Sequence, residues 1–167
     1  MPKFWEMLDR TGYTLWHQRY KYNAENKRDF MTSNLVAGFI QRSEELRRYA
    51  FGVMHVLNTE APYEVEGVWL MRGTDVKAML DCNPDGEYYD WERIDPESES
   101  GRQLVADTWC TYEKLGGKPV YGERGRGQSV CEGTFHFGTL CEPCRLQDFQ
   151  VEWARAVQLA EFHPVED

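Results

Sequence analysis

From Tyr49 to Leu57 apolar side chains occupy both alternating positions of an extended chain. Tyr49, Phe51, Val53 and Leu57 fall on one side, and Ala50, Gly52, Met54 and Val56 on the other. A strand patterned this way needs cover on both faces, which places it inside a sheet. After a connection containing Pro62 the chain returns as Tyr63 to Arg72 and stops at Gly73, which predicts a hairpin with a longer loop. Gly52 and Gly67 leave gaps in the side-chain rows, where a bulge or a closely packed neighbour fits.

The same pattern continues outward from this hairpin. Phe4, Trp5 and Leu8 predict one helical turn that ends by Gly12. Tyr13 to Tyr22 alternates as a strand, with Trp16, Tyr20 and Tyr22 on the expected inner face and Leu15, His17, Arg19 and Lys21 on the wetter one. His17 is therefore expected to be solvated. Asn26 to Arg48 predicts a helix capped by Asn26, with Asp29 in its first turn and Met31, Leu35 and Phe39 heading a stripe widened by Phe30, Val36 and Ile40. Gly38 in that helix is expected to let the sheet approach closely. The charged Glu44, Glu45, Arg47 and Arg48 are expected to be solvated.

Asn83-Pro84-Asp85-Gly86 signals a turn, and Glu87 to Ile94 another strand. Asp95 and Pro96 open a helix whose inner face is Leu104, Val105, Thr108, Trp109 and Tyr112, and which ends before Gly116-Gly117. From Gly122 onward the character changes. GERGRGQSVCEGTFHFGTLCEPCR is glycine-rich and irregular, and Arg145 to Phe162 then resumes a helical period through Leu146, Phe149, Trp153, Val157 and Ala160. The division expected is a domain over 1–122 and an extension over 123–167, with the order of the extension left open.

Composition narrows the function. The 167 residues suffice for one hydrophobic core, and a net charge of −9 disfavours general affinity for nucleic acid or anionic membrane. No apolar run reaches the length of a membrane span, and the charged start MPKFWEMLDRTG does not read as a signal peptide. An odd count of five cysteines fits free thiols in a reducing compartment, so a cytoplasmic protein is expected. Six Trp and nine Tyr are many for a small core, which leaves two readings: half-buried packing, or rings at a surface covered by another molecule.

Candidate chemistry is sparse. Cys131, His136, Cys141 and Cys144 could supply four ligands to a tetrahedral zinc, although one C-x-x-C and a histidine between two phenylalanines also fit ordinary thiols. Arg124-Gly-Arg126-Gly is a fragment of an RNA-binding pattern or simply a linker. The sequence has no G-x-S-x-G, phosphate loop, H-E-x-x-H or ordered dinucleotide fingerprint. His55, the remaining candidate base, reads as a sheet histidine whose ring finds a structural partner.

FWEMLDRTGYTLWHQRY, FMTSNLVAGFIQRSEELRRYAF, GVWLMRG, YDWERIDP and a closing helix through Trp109 together resemble the C-terminal domain of the gamma subunit of translation elongation factor 1. The likeness spans roughly residues 3 to 121. It implies an α+β fold, an antiparallel sheet of about five strands flanked by helices. It also implies a non-catalytic docking component of the elongation factor 1 complex, with other subunits of that complex as partners and no cofactor or metal. Family members carry a large N-terminal domain similar to glutathione transferases and a charged linker, neither matched in this sequence. They end soon after the region matching Lys118 to Tyr121, so the cysteine-bearing extension has no counterpart. Within the resembling segments, Trp16, Trp69 and Arg72 are the candidate protein-binding residues, an aromatic beside an arginine being a common interface anchor. The competing expectations are a nucleic-acid-binding module with a tail folded by zinc, and a thiol transferase by association with the unmatched domain.

Overall fold

The computed structural model describes residues 1–110, 114–121 and 134–137. The elements run α1 (Pro2–Met7), β1 (Tyr13–Tyr20), α2 (Asp29–Arg42), β2 (Ala50–Leu57), β3 (Glu64–Arg72), α3 (Lys77–Cys82), β4 (Tyr89–Ile94), α4 (Glu99–Cys110), β5 (Lys114–Leu115), β6 (Lys118–Pro119) and β7 (Thr134–Phe137). The fold is α+β: β1 to β4 and β7 form one antiparallel sheet in the order β4-β1-β3-β2-β7, with helices on both faces.

The hairpin β2–β3 holds the middle. Its strands are buried along almost their whole length, because α1 and α4 cover one face and α2 and α3 the other. Phe51, Val53, Val68 and Leu70 join Phe4, Leu8, Val105 and Trp109 on the first face. Met54, Val56, Val65, Trp69 and Met71 join Val36, Phe39 and Met79 on the second. The two glycine gaps are filled as the pattern predicts: Trp69 lies over Gly52, and the Met54 side chain over Gly67, each across the strand pair.

Several expectations shift. Helix α2 begins at Asp29 rather than Asn26, whose carbonyl instead accepts the Tyr63 N–H. Its buried residues are Thr32, Val36 and Phe39, with Ser43 just past its end, while Phe30 and Met31 are each 57% exposed. The hydroxyls make this rotation possible: Thr32 donates to the Arg28 carbonyl and Ser43 to that of Phe39, so neither enters the core unpaired. Gly38 meets the Arg42 guanidinium rather than the sheet. The run from Glu44 to Arg48 is exposed at each charged residue, as expected. Helix α3 carries no strong apolar pattern in the sequence, and Met79 is its buried residue. Helix α4 starts at Glu99 with the Ser98 hydroxyl accepting the Gly101 N–H, so the cap lies three residues beyond Asp95. Its inner face holds Val105, Thr108 and Trp109 as predicted; Tyr112 lies outside the described residues.

Gly116 and Gly117, both at positive φ, form the two-residue turn of a β5–β6 hairpin. That hairpin lays Val120 against Leu57, and the Tyr121 N–H donates to the Val56 carbonyl. The next position along the same edge, His55, is paired with Thr134, the first residue of β7. Two separated pieces of chain thus line the outer edge of β2 in one direction, and the second comes from the stretch beyond residue 122. Among the described residues no helix is long and apolar enough to cross a membrane.

Candidate protein interface

The strand spacing separates the three candidate residues. Trp16 and Trp69 stand directly opposite each other on β1 and β3, on the face that carries α2. Arg72, three residues beyond Trp69, projects from the other face, because side chains alternate along a strand. Trp69 is 0% exposed, its ring against Phe39 and Trp91 and its Nε1–H donating to Gln18 Oε1 at 2.6 Å. Full burial withdraws it from contact with another molecule. Trp16 is half-buried and donates its Nε1–H to Thr14 Oγ1 at 2.9 Å, and Thr14 in turn donates to the Gly73 carbonyl.

Beside Trp16 the same face stays partly open. Tyr20 and Trp91 are half-buried and Arg93, opposite Trp16 on the edge strand β4, is exposed. Rings continue outward from Phe39 through Tyr89 and Tyr20 to Tyr22, and Tyr22 meets Tyr88, with these last two 46% and 50% exposed. Burial pushes the Tyr89 hydroxyl strongly up from its ordinary value, with the Tyr20 ring and Asp85 adding to the effect. That hydroxyl and the Gln18 Nε2 are the two buried side-chain atoms without a hydrogen-bond partner among the described residues. The surface formed is aromatic, with Arg93 at its margin.

On the opposite face Arg72 lies between Tyr13, its partner on β1, and Tyr49, whose carbonyl accepts the Arg72 N–H at 2.8 Å. The guanidinium sits over the Tyr49 ring, 5.9 Å from its centroid. Tyr49 is 46% exposed.

A polar cluster farther along this face corrects the expectation for His17. His17 is buried, 8% exposed, and its Nε2 is 3.2 Å from Glu66 Oε2. Arg19 Nε and Lys118 Nζ approach Glu66 Oε1 at 3.5 and 3.8 Å. Burial alone would raise the Glu66 carboxyl, but the His17 hydrogen bond and the nearby Arg19 and Lys118 charges outweigh it and hold it below the usual carboxylate range. The cluster ties β1, β3 and the β5–β6 hairpin together. A two-period alternation could not reveal it, since the carboxylate that draws His17 inward is 49 residues away.

His55 is fully buried, its Nε2 2.7 Å from the Thr108 carbonyl, which joins β2 to α4 as a structural bond. Burial raises the thiols of Cys82 and Cys110 above their ordinary value, so neither is an activated thiolate. Among the described residues no cluster of His, Cys, Asp or Glu could hold a metal ion. Cys131, Cys141, Cys144, Arg124, Arg126 and the helix expected over 145–162 lie outside the described residues; His136 falls within β7. What the described side chains offer is contact area, with aromatic rings and arginines on both faces.

Comparison with known proteins bears on these surfaces. The family model described as "Elongation factor 1 gamma, conserved domain" matches residues 1–75. Elongation factor 1-gamma 2 of Oryza sativa subsp. japonica is 44% identical over 104 residues, which is 62% of this chain and 25% of the relative. Elongation factor 1-gamma of Artemia salina is 35% identical over 122 residues, 71% of this chain and 28% of the relative. That of Trypanosoma cruzi is 41% identical over 106 residues, 64% of this chain and 26% of the relative. The chain spans about a quarter of the length of the curated relatives it matches. The matched residues include the hairpin β2–β3 and the strand β1 paired with it, the elements that carry Trp16, Trp69 and Arg72. Residues 1–75 thus match the elongation factor 1-gamma conserved domain, and the chain is similar to elongation factor 1-gamma proteins over 104 to 122 residues.

Proposed function

We propose that this chain is a non-catalytic structural and docking component of the translation elongation factor 1 complex, acting in the cytoplasm in protein synthesis. The reading is carried by the relatives named elongation factor 1-gamma, 35% to 45% identical over 103 to 122 residues. It is supported by the character of the described surface, in which partly exposed rings and arginines border a fully packed core. Its partners are other subunits of the elongation factor 1 complex. It needs no cofactor. Trp16 and Arg72 contact partners from opposite faces, and buried Trp69 holds the sheet beneath Trp16 in shape.

The test is native mass spectrometry of the full chain mixed with purified elongation factor 1 subunits. The reading expects a defined stoichiometric complex that survives chelators. Absence of a complex with every subunit, or turnover of a small molecule by the isolated chain, ends it.

A further inference from the structure

Tyr13, Arg72 and Tyr49 form one row across the end of the sheet, each on a different strand or its extension and all on the face carrying α1. Arg72 is exposed, and its guanidinium is held over the half-exposed Tyr49 ring. Arg48, next in the chain to Tyr49, is also exposed. Arg10, Arg19, Arg42, Arg47 and Arg102 each have a carboxylate within salt-bridge distance. Among the described residues Arg28, Arg48, Arg72 and Arg93 have none, and of these Arg72 is the one stacked on an exposed ring. In a chain of net charge −9, an arginine without an acid partner and held over an exposed ring makes a local cationic site in a predominantly acidic molecule.

We propose that the Tyr13–Arg72–Tyr49 row, with Arg48, receives an acidic segment of a partner polypeptide. The inference rests on the docking reading and names the chemistry of the partner. A guanidinium fixed over a ring keeps its edge donors free, and that planar fork matches a carboxylate through two parallel hydrogen bonds. The rings supply apolar contact for the carbon atoms of an Asp or Glu side chain and lower the dielectric around the pair. Arg48 offers a second charge one step along the chain. A nucleic acid fits less well. Duplex DNA carries a charge about every 1.7 Å of axis, so a polymer seated here would run past the row onto a surface of the opposite preference. A peptide needs only one or two carboxylates within the row.

Fluorescence anisotropy on the full chain tests this, using labelled short peptides rich in Asp and Glu, their Asn and Gln counterparts, and a short labelled single-stranded RNA. At least one acidic peptide is expected to bind about tenfold tighter than its amide counterpart, a difference that Arg72→Ala removes and Arg72→Lys restores only in part. Tyr49→Ala should weaken binding while leaving the circular dichroism spectrum and thermal midpoint unchanged, which separates lost contact from lost folding. Equal binding of acidic and amide peptides overturns the proposal, as does unchanged affinity in Arg72→Ala or RNA binding as tight as that of the best peptide. If the Arg72→Ala chain still assembles with elongation factor 1 subunits, the docking reading stands and this inference falls. If acidic peptides bind through Arg72 while no subunit assembles, the reverse holds.

Discussion

Gly52 stands directly opposite Trp69, and the indole occupies the space where a Cβ on residue 52 would lie. The core of this sheet is therefore built on a missing side chain. Trp69 gains full burial because its neighbour has none, and its ring is then fixed from the other side by Phe39 and by the hydrogen bond to Gln18.

Gly52→Ala should destabilise the domain by about 1–3 kcal/mol, since the added methyl meets a rigid ring on a buried strand and either ring or strand must shift. Urea denaturation followed by tryptophan fluorescence measures the loss. A change below a few tenths of a kcal/mol would mean that Trp69 does not lie over Gly52.

Asn83 makes a second buried junction. Its Nδ2 donates to the Phe39 carbonyl and to Ser43 Oγ, each at 2.9 Å, and its Oδ1 accepts the Asp85 N–H at 3.1 Å, all with the residue 0% exposed. Asn83→Leu should cost about 1–3 kcal/mol for each buried group left unpaired. Asn83→Asp should also destabilise, because a carboxylate accepts and cannot donate to the Phe39 carbonyl. Chemical denaturation of both variants checks this, and a neutral Asn83→Leu refutes the network.

Glu66 gives the fold an acid-sensitive tie. Its carboxyl is held below the ordinary value of 4.5, so folding favours the ionised form. That contribution is present in full above the unfolded value and is lost as the pH falls through the lower folded value. Comparing unfolding free energies of the wild type and Glu66→Gln at pH 7 and pH 3 tests the sign. The gap between them should narrow at the lower pH, and a gap that widens contradicts it.

The edge of β2 yields a further prediction. Ending the chain after Tyr121 removes β7 and leaves Gly52 to His55 without an outer neighbour. Amide exchange in that segment should accelerate in the shortened chain while β3 stays protected, and self-association should rise, because an uncovered strand edge is a template for pairing. Exchange rates unchanged in β2 would show that β7 gives this edge no protection.

Much of this architecture was legible in the chain. The doubly apolar run from Ala50 to Leu57 required cover on both faces, and two glycines in opposed strands marked where large side chains close over the sheet. The periodic face of α4 needed no knowledge of its neighbours. Even the separation of Trp69 from Arg72 was implicit, since three residues along a strand always reverse the face. Local patterning fixes such features because covalent geometry enforces the period.

Only the tertiary structure decided the rest. His17 looks solvated until Glu66 arrives from a distant part of the chain to pair with its buried ring. Thr32 and Ser43 turn inward ahead of Met31 because their hydroxyls find carbonyls one turn back, a trade that hydrophobicity alone does not price. The fifth strand of the sheet comes from a glycine-rich stretch with almost no pattern of its own. Its place depends on the unpaired backbone of β2, and backbone hydrogen bonds leave little signature in side-chain sequence.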